Sequence, residues 1–293
     1  TLIGYLVYDF VVSFRSKSKR DEWKKKRKLH DFRCLLDESY FVDRPSLLKP
    51  ALHWSFNLFS LERLTAGFPL LAIGTFLFQK AKFFQKFHLD YFHVIRLFKH
   101  IEDLYHENNS YHNALHAADV AQAIYCLLKE QRVNKDALKA NVKGLILATD
   151  ITRQDEFLQN IQDLTERRYG QEDYVLTDDD RKLVTQVAIK CADISNPCRQ
   201  WAVSLLWANC ITEEFFLQGD RENLLGLPVL PTMNRKTTTK AKVQIGFIKF
   251  LVLPLFEKWD NYMRTKFSRA LVEKCKKNLA IWTAKQAAID RNQ

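Results

Sequence analysis

The sequence is poor in the residues that punctuate strand-and-turn folds, with 8 Gly and 7 Pro among 293 residues. Sandwiches and barrels need such residues at every turn, and disordered chains are rich in them, so both classes are disfavoured. Cysteine is also sparse: Cys34, Cys126, Cys191, Cys198, Cys210 and Cys275 form no CxxC pair. That excludes a disulfide scaffold or a zinc ribbon and fits reduced thiols in a cytoplasmic protein. No long apolar run is present. Residues 1–14 are interrupted by Asp9, and the run Phe68 to Phe78 is too short for the ~20 apolar residues a membrane helix needs. Neither a transmembrane helix nor a cleaved signal is therefore expected. The chain begins at Thr1, and a fragment is one reading of that start. Histidine, finally, is confined to one part of the chain. All eight (His30, His53, His88, His93, His100, His106, His112 and His116) stop at residue 116.

What is present points to helices. Hydrophobic residues make up 47% of the chain, enough for one large core or two small ones. The expected class is all-α. From His88 onward Leu89, Phe92, Ile95, Phe98, Ile101 and Tyr105 recur every three or four residues, a stripe that predicts a core-facing helix. A polar cluster at 107–110 should end it, and Asn113 should cap a helix over 114–128. Further helices are predicted over 181–192, broken by Pro197, and over 201–218, ended by Gly219. A long one over 240–267 should bend or restart near Pro254.

Net charge is +11, and much of it lies between Arg15 and Lys28. A basic chain can meet nucleic acid, an anionic membrane or a phosphate-bearing small molecule. No basic stripe interleaved with aromatics marks the rest of the chain, so no specific nucleic acid is expected. The division is a basic leader, 1–45, followed by a helical domain, 46–293. The leader reads either as a solvated face or as a contact for an anionic membrane or a protein.

Four clusters carry possible chemistry. Tyr111-His112-Asn113-Ala114-Leu115-His116 sets two histidines four apart on one helical face, with Asp119 beyond them. One could donate a proton while the other binds a metal; such a pair is as readily structural. Asp193, in Cys191-Ala192-Asp193-Ile194-Ser195-Asn196-Pro197, is an acid at an otherwise apolar helix end and needs a cation or a basic side chain as partner. Glu214 shares a face with Trp207, Ile211 and Phe215, where it could orient a histidine or reach solvent. Gln244 and Phe247 are neighbours one turn apart, suited to a purine edge and face but also to plain packing.

Together YHNALHAADV, ILATDITRQDEFL, KCADISNPCRQW, ITEEFFLQGDRE and VQIGF stand in one order. In that order they resemble the class I cyclic-nucleotide phosphodiesterases, with YHNxxHAADV and TDITRQxEFL most similar to the type-seven, cAMP-selective kind. The resemblance runs from about Trp54 to Trp259. It implies a compact multi-helix catalytic domain with zinc and magnesium in a deep pocket, and hydrolysis of cAMP to 5′-AMP in cyclic-nucleotide signalling. By motif position it casts His112 as the acid for the leaving 3′ oxygen and Glu214 as its orienter. It makes His116 and Asp193 zinc ligands and Gln244 the purine-reading amide. Phe247 and Ile211 become the clamp on the base, with Tyr111, Asn196 and Phe215 lining the pocket.

One part of the pattern is missing. The family carries a His-Asp pair and further histidines a few dozen residues after the YHN motif, whereas here no histidine follows His116. The expectation is an internal deletion near 131–137 that removes half the metal ligands. His30-Asp31 stands on the wrong side of the motif to replace them, and Asp119 and Asp150 are the carboxylates nearest at hand. A second departure is Met233-Asn234-Arg235-Lys236, where the family usually has Cys-Asp followed by basic residues. The chain is thus expected to be either an impaired hydrolase or a nucleotide- or partner-binding module.

Overall fold

The computed structural model describes residues 48–292, apart from 66, 107, 130–141 and 172–173. The leader, His30-Asp31 and the expected junction near 131–137 lie outside the described residues. Among the described residues there is no strand, and the all-α expectation holds. The helices are α1 (Leu58–Leu64), α2 (Pro69–Lys80), α3 (Phe83–Lys86), α4 (Tyr91–Leu104), α5 (Ala114–Leu128), α6 (Val142–Ala148), α7 (Gln154–Arg168), α8 (Asp178–Asp193), α9 (Trp201–Leu224), α10 (Lys240–Phe247), α11 (Leu253–Met263) and α12 (Lys266–Asp290).

Their starts follow from short polar side chains that satisfy otherwise unpaired N–H groups. Asn57, Asp90, Asn113 and Thr239 cap α1, α4, α5 and α10. Thr177 and Thr265 form reciprocal capping boxes at α8 and α12. α2 has no cap of its own; Glu102, from α4, accepts from Leu70 N at 3.0 Å and Leu71 N at 3.2 Å. That contact orients α2 against α4, and Gly74 lets them close, since a Cβ there would lie 2.7 Å from the Phe98 ring.

Three expectations need correction. α9 does not end at Gly219 but runs on to Leu224. The glycine serves a close approach instead: a Cβ would sit 2.1 Å from the Met233 carbonyl oxygen, so only glycine admits that loop. The long helix over 240–267 restarts near Pro254 as expected, but it ends at Met263 and not at 267. A π-turn (Ile248–Val252) follows α10, Pro254 sits in the first turn of α11, and Arg264 in the left-handed region ends α11. The stripe on α4 is only partly core: Ile95 is fully buried, while Phe92 is 49% exposed and Leu89 and Tyr105 also reach solvent.

Two hydrophobic cores form. One gathers α6, α7, α8, α10, α11 and α12 around Phe157, Val187, Phe256 and Trp259. The other gathers α1, α2 and α4 around Phe68, Leu71 and Ile73. α5 and α9 belong to both: Leu127 and Ala208 face the first core, Leu115 and Trp207 the second. Each fully buried large side chain contributes about 1.5–3 kcal/mol, so these two helices are held from both sides. No single described helix is long and apolar enough to cross a membrane; the bent pair α1–α2 passes by length and composition together, but its residues from Leu70 to Phe76 are buried in the second core.

Candidate active site

The site is built where α5 and α9 meet. Asn113, extended in its backbone, caps α5 by accepting from Leu115 N and His116 N. This fixes Tyr111 and His112 just before the helix and His116 in its first turn. Glu214, midway along α9, then takes three hydrogen bonds from that segment. Its Oε1 lies 2.5 Å from His112 Nδ1, and its Oε2 accepts from Tyr111 N at 2.6 Å and His112 N at 3.0 Å. Burial would raise the Glu214 pKa, but the hydrogen bond and charge of His112 and the two backbone N–H groups outweigh it and hold the carboxyl below its ordinary value. With Glu214 accepting at Nδ1, that nitrogen carries a proton and Nε2 is the group left to act on a ligand. The His112 side chain is 41% exposed, so it is reachable.

Tyr111 lies under both histidines, its ring centroid 4.4 Å from that of His116. Its hydroxyl donates to Asn196 Oδ1 at 2.9 Å. Burial first, then the charges of Asp193, Asp119 and Glu214, push the Tyr111 pKa well up, which keeps it a donor. Asn196 lies in a short turn, Asn196–Cys198, and its Nδ2 donates to Asp119 Oδ2 at 3.3 Å. Trp207 packs edge-on against Tyr111 and His116. Thus Tyr111, His112, His116, Asp193, Asn196 and Glu214 come together.

The purine-side residues stand further along. Gln244 is buried and its Nε2 donates to Thr212 Oγ1 at 3.3 Å. That ties α10 to α9 between Ile211 and Glu214. Ile211 fringes the second core and Phe247 the first. Ile211, Phe215 and Phe247 are all half-buried.

The metal half is different. His116 Nε2 lies 3.1 Å from Asp193 Oδ1, a direct hydrogen bond between the two expected ligands. Among the described residues His116 Nδ1 is buried without a partner, although a ligating histidine ordinarily donates its second N–H. Asp119 is fully committed: besides Asn196 it accepts from Arg199 Nη2 at 2.8 Å, and both side chains of that pair are buried. Asp150 caps the turn Ile151–Arg153, its Oδ1 accepting from Thr152 N and Oγ1. Among the described residues no three His, Cys, Asp or Glu side chains are grouped to hold a metal ion. Catalytic zinc takes three protein ligands and a water, so the donors described do not fit the zinc and magnesium pair that the resemblance implies.

Several structural partners escaped the sequence reading. Arg199 also donates to Gln122 Oε1 at 2.9 Å and to Trp54 O at 2.7 Å. Lys190, buried on α8, donates to the carbonyls of Ala148 and Asp150 and so anchors the TDITRQ segment one turn before Asp193. Burial lowers the Lys190 pKa, opposed in part by Asp193 and Asp150. A basic residue inside each apolar motif was the available signal.

Residues 133–275 match the family described as 3'5'-cyclic nucleotide phosphodiesterase. The mouse high affinity cGMP-specific 3',5'-cyclic phosphodiesterase 9A is 44% identical over 114 residues, 39% of this chain and 20% of that protein. The human high affinity cAMP-specific and IBMX-insensitive 3',5'-cyclic phosphodiesterase 8A is 25% identical over 301 residues, 72% of this chain and 36% of that protein. This chain thus spans well under half the length of these relatives. The solved structure of LmjPDEB1 in complex with IBMX superposes with a TM-score of 0.70, covering 81% of this chain and 93% of that one at 19% identity. The family match covers just under half of this chain, and the structural likeness shows the all-helical fold. The relatives named carry the type-nine and type-eight designations, so they do not carry the type-seven assignment.

Proposed function

We propose that this chain is a cyclic-nucleotide phosphodiesterase domain that keeps the leaving-group acid and the purine-reading side of its site and turns over cAMP far more slowly than an intact relative. The carrying observation is the His112–Glu214 pair, with the second Glu214 oxygen held by two backbone N–H groups. Hydrolysis breaks the bond between phosphorus and the 3′ oxygen as water adds to phosphorus. His112, oriented by Glu214, gives its Nε2 proton to the departing oxygen, a role that typically contributes ~10²–10⁴-fold. Divalent metals, if held beside His116 and Asp193, would supply activation of the water and charge neutralisation at the phosphoryl oxygens. The described donors do not hold such a pair, so the water side is the deficient half.

An internal gap agrees with the alignment to the human 8A relative: it extends over 301 residues, more than the 293 of the whole chain. cAMP is the preferred nucleotide in this reading because Gln244 donates its Nε2 to Thr212, leaving Oε1 as the acceptor for the exocyclic amine of adenine. The relatives include both cAMP- and cGMP-specific proteins; type-seven kinship rests on the YHNxxHAADV and TDITRQxEFL motifs alone. Zinc and magnesium remain the expected ions, weakly held. The domain division, a cytoplasmic location, and a leader contact with an anionic membrane or a protein are parts of the same proposal. So is the expectation of no specific nucleic acid. Five cysteines are free thiols among the described residues, as a reducing compartment requires.

The direct His116–Asp193 hydrogen bond favours a second reading, a module that binds nucleotide or a partner without turnover. The deciding assay compares cAMP and cGMP turnover by this chain and by the same chain with the family's His-Asp segment inserted after Val133. The proposal expects a large gain on insertion, lost in His112→Ala. Equal turnover by both chains, abolished by His112→Ala in each, overturns it; no turnover by either, with nucleotide still bound, selects the binding module.

A further inference from the structure

A groove of about 630 Å³ lies between the segment before α1, the end of α5 and the first turns of α12. It shares no lining residue with the His112 cluster, and the phosphodiesterase reading does not use it. Its walls are held by buried polar contacts. Asn278 on α12 donates to the carbonyls of Pro197 at 2.7 Å and Arg199 at 2.9 Å, pinning α12 beside the Asn196–Cys198 turn. Trp54 donates its Nε1 to Cys198 O at 3.0 Å, and the Arg199 guanidinium lies 4.0 Å from the centre of its ring. Phe267 meets Trp54 edge-on at 5.5 Å. The walls are thus set apart by hydrogen bonds fixed elsewhere, and the space between them is preformed.

The lining is apolar and cationic, with His53, Ser55 and Gln200 as its other polar members. Trp54, Phe267, Leu52 and Leu271 supply an apolar wall, and Lys129 and Lys274 add two cations. No Asp or Glu lines it among the described residues. Its volume falls within the ~300–1,000 Å³ usual for small-molecule sites. We propose that this groove binds an amphiphilic anion, a single carboxylate or phosphate head on an apolar body, with the head between Lys129 and Lys274 and the body along Trp54 and Phe267. The two lysines decide the sign of the ligand, and the apolar wall decides that inorganic anions do not suffice. The proposal stands apart from the cyclic-nucleotide reading and survives or fails without it.

The test is calorimetric titration of the full chain with monomeric sodium laurate and with dodecyl phosphate, below their micelle concentrations. Dodecanol and inorganic phosphate serve as the neutral and the bare-anion controls. One saturable site for either amphiphile is expected, at least about tenfold weaker in Lys129→Met/Lys274→Met, as the loss of two charge-assisted contacts implies. Ala270→Phe, which fills the groove from an exposed position on α12, should abolish binding while leaving the melting temperature unchanged. Both variants alter surface positions and leave Trp54 and its Arg199 contact intact. Binding unchanged in both variants overturns the proposal, as does dodecanol or inorganic phosphate binding as tightly as the amphiphiles.

Discussion

The two halves of the candidate site are built from neighbouring residues of one helix start, yet they are satisfied in opposite ways. On the acid side Glu214 is fully engaged: both of its oxygens accept, and its own burial is overcome by what it binds. On the metal side His116 and Asp193 hydrogen-bond each other at 3.1 Å, and among the described residues one ring nitrogen of His116 is buried without a partner. A pair assembled from two helices is complete when both helices are present. A metal shell needs more donors than two helices supply. The internal loss proposed above would therefore leave one half intact and strand the other.

The sharpest way to break this contrast is to free a donor for the poor half. Arg199→Met leaves the buried Asp119 carboxylate without its charge partner and should cost about 3–5 kcal/mol, read by urea denaturation. A cost under about 1 kcal/mol would mean that Asp119 is solvated and available. Next in size is metal retention. The chain should bind zinc more than about 100-fold more weakly than its segment-restored counterpart, because even one lost supporting partner commonly costs 10–100-fold. Stoichiometric zinc that survives dialysis against a mild chelator, and is lost in His116→Ala/Asp193→Ala, would show a donor set beyond the pair described.

The purine side is expected to respond less. Thr212→Val removes the partner of the buried Gln244 amide and should weaken cAMP binding by about 1–3 kcal/mol with little change for an adenine-free phosphate ester. Equal losses for both ligands would place Thr212 in general packing. The smallest effect concerns acid stability. The Glu214 carboxyl is held below the ordinary value of 4.5, so its contribution is fully present above that pH and is lost as pH falls through the lowered folded value. Glu214→Gln should flatten that limb of the stability profile, measured by thermal melts at a series of pH values below 5. An unchanged slope would remove Glu214 from the acid-sensitive groups.

Local chemistry was legible in the sequence where cause and effect are close along the chain. Asn113 as the cap of a helix over 114–128 is visible because a side chain two or three residues away decides it. The ordered motifs likewise pointed to the six residues that the structure gathers. What stayed hidden acts at a distance. Gly219 reads as a helix end until Met233, from the loop beyond α9, is seen against it. Asp119 reads as a spare ligand until Arg199, 80 positions away, is found on it. The stripe on α4 predicts a buried face, but periodicity cannot say how far along the helix the neighbouring core extends, and Phe92 lies beyond its reach.

The sharing of α5 and α9 between both cores has a consequence for how the molecule opens. Neither core can be released while the other stays packed without tearing one side of the helices that carry His116 and Glu214. Partial unfolding of either end is thereby coupled to the site. The slowest-exchanging amides should therefore lie along the inner turns of α5 and α9, and the site's two halves, unequal in their chemistry, should come apart in a single step.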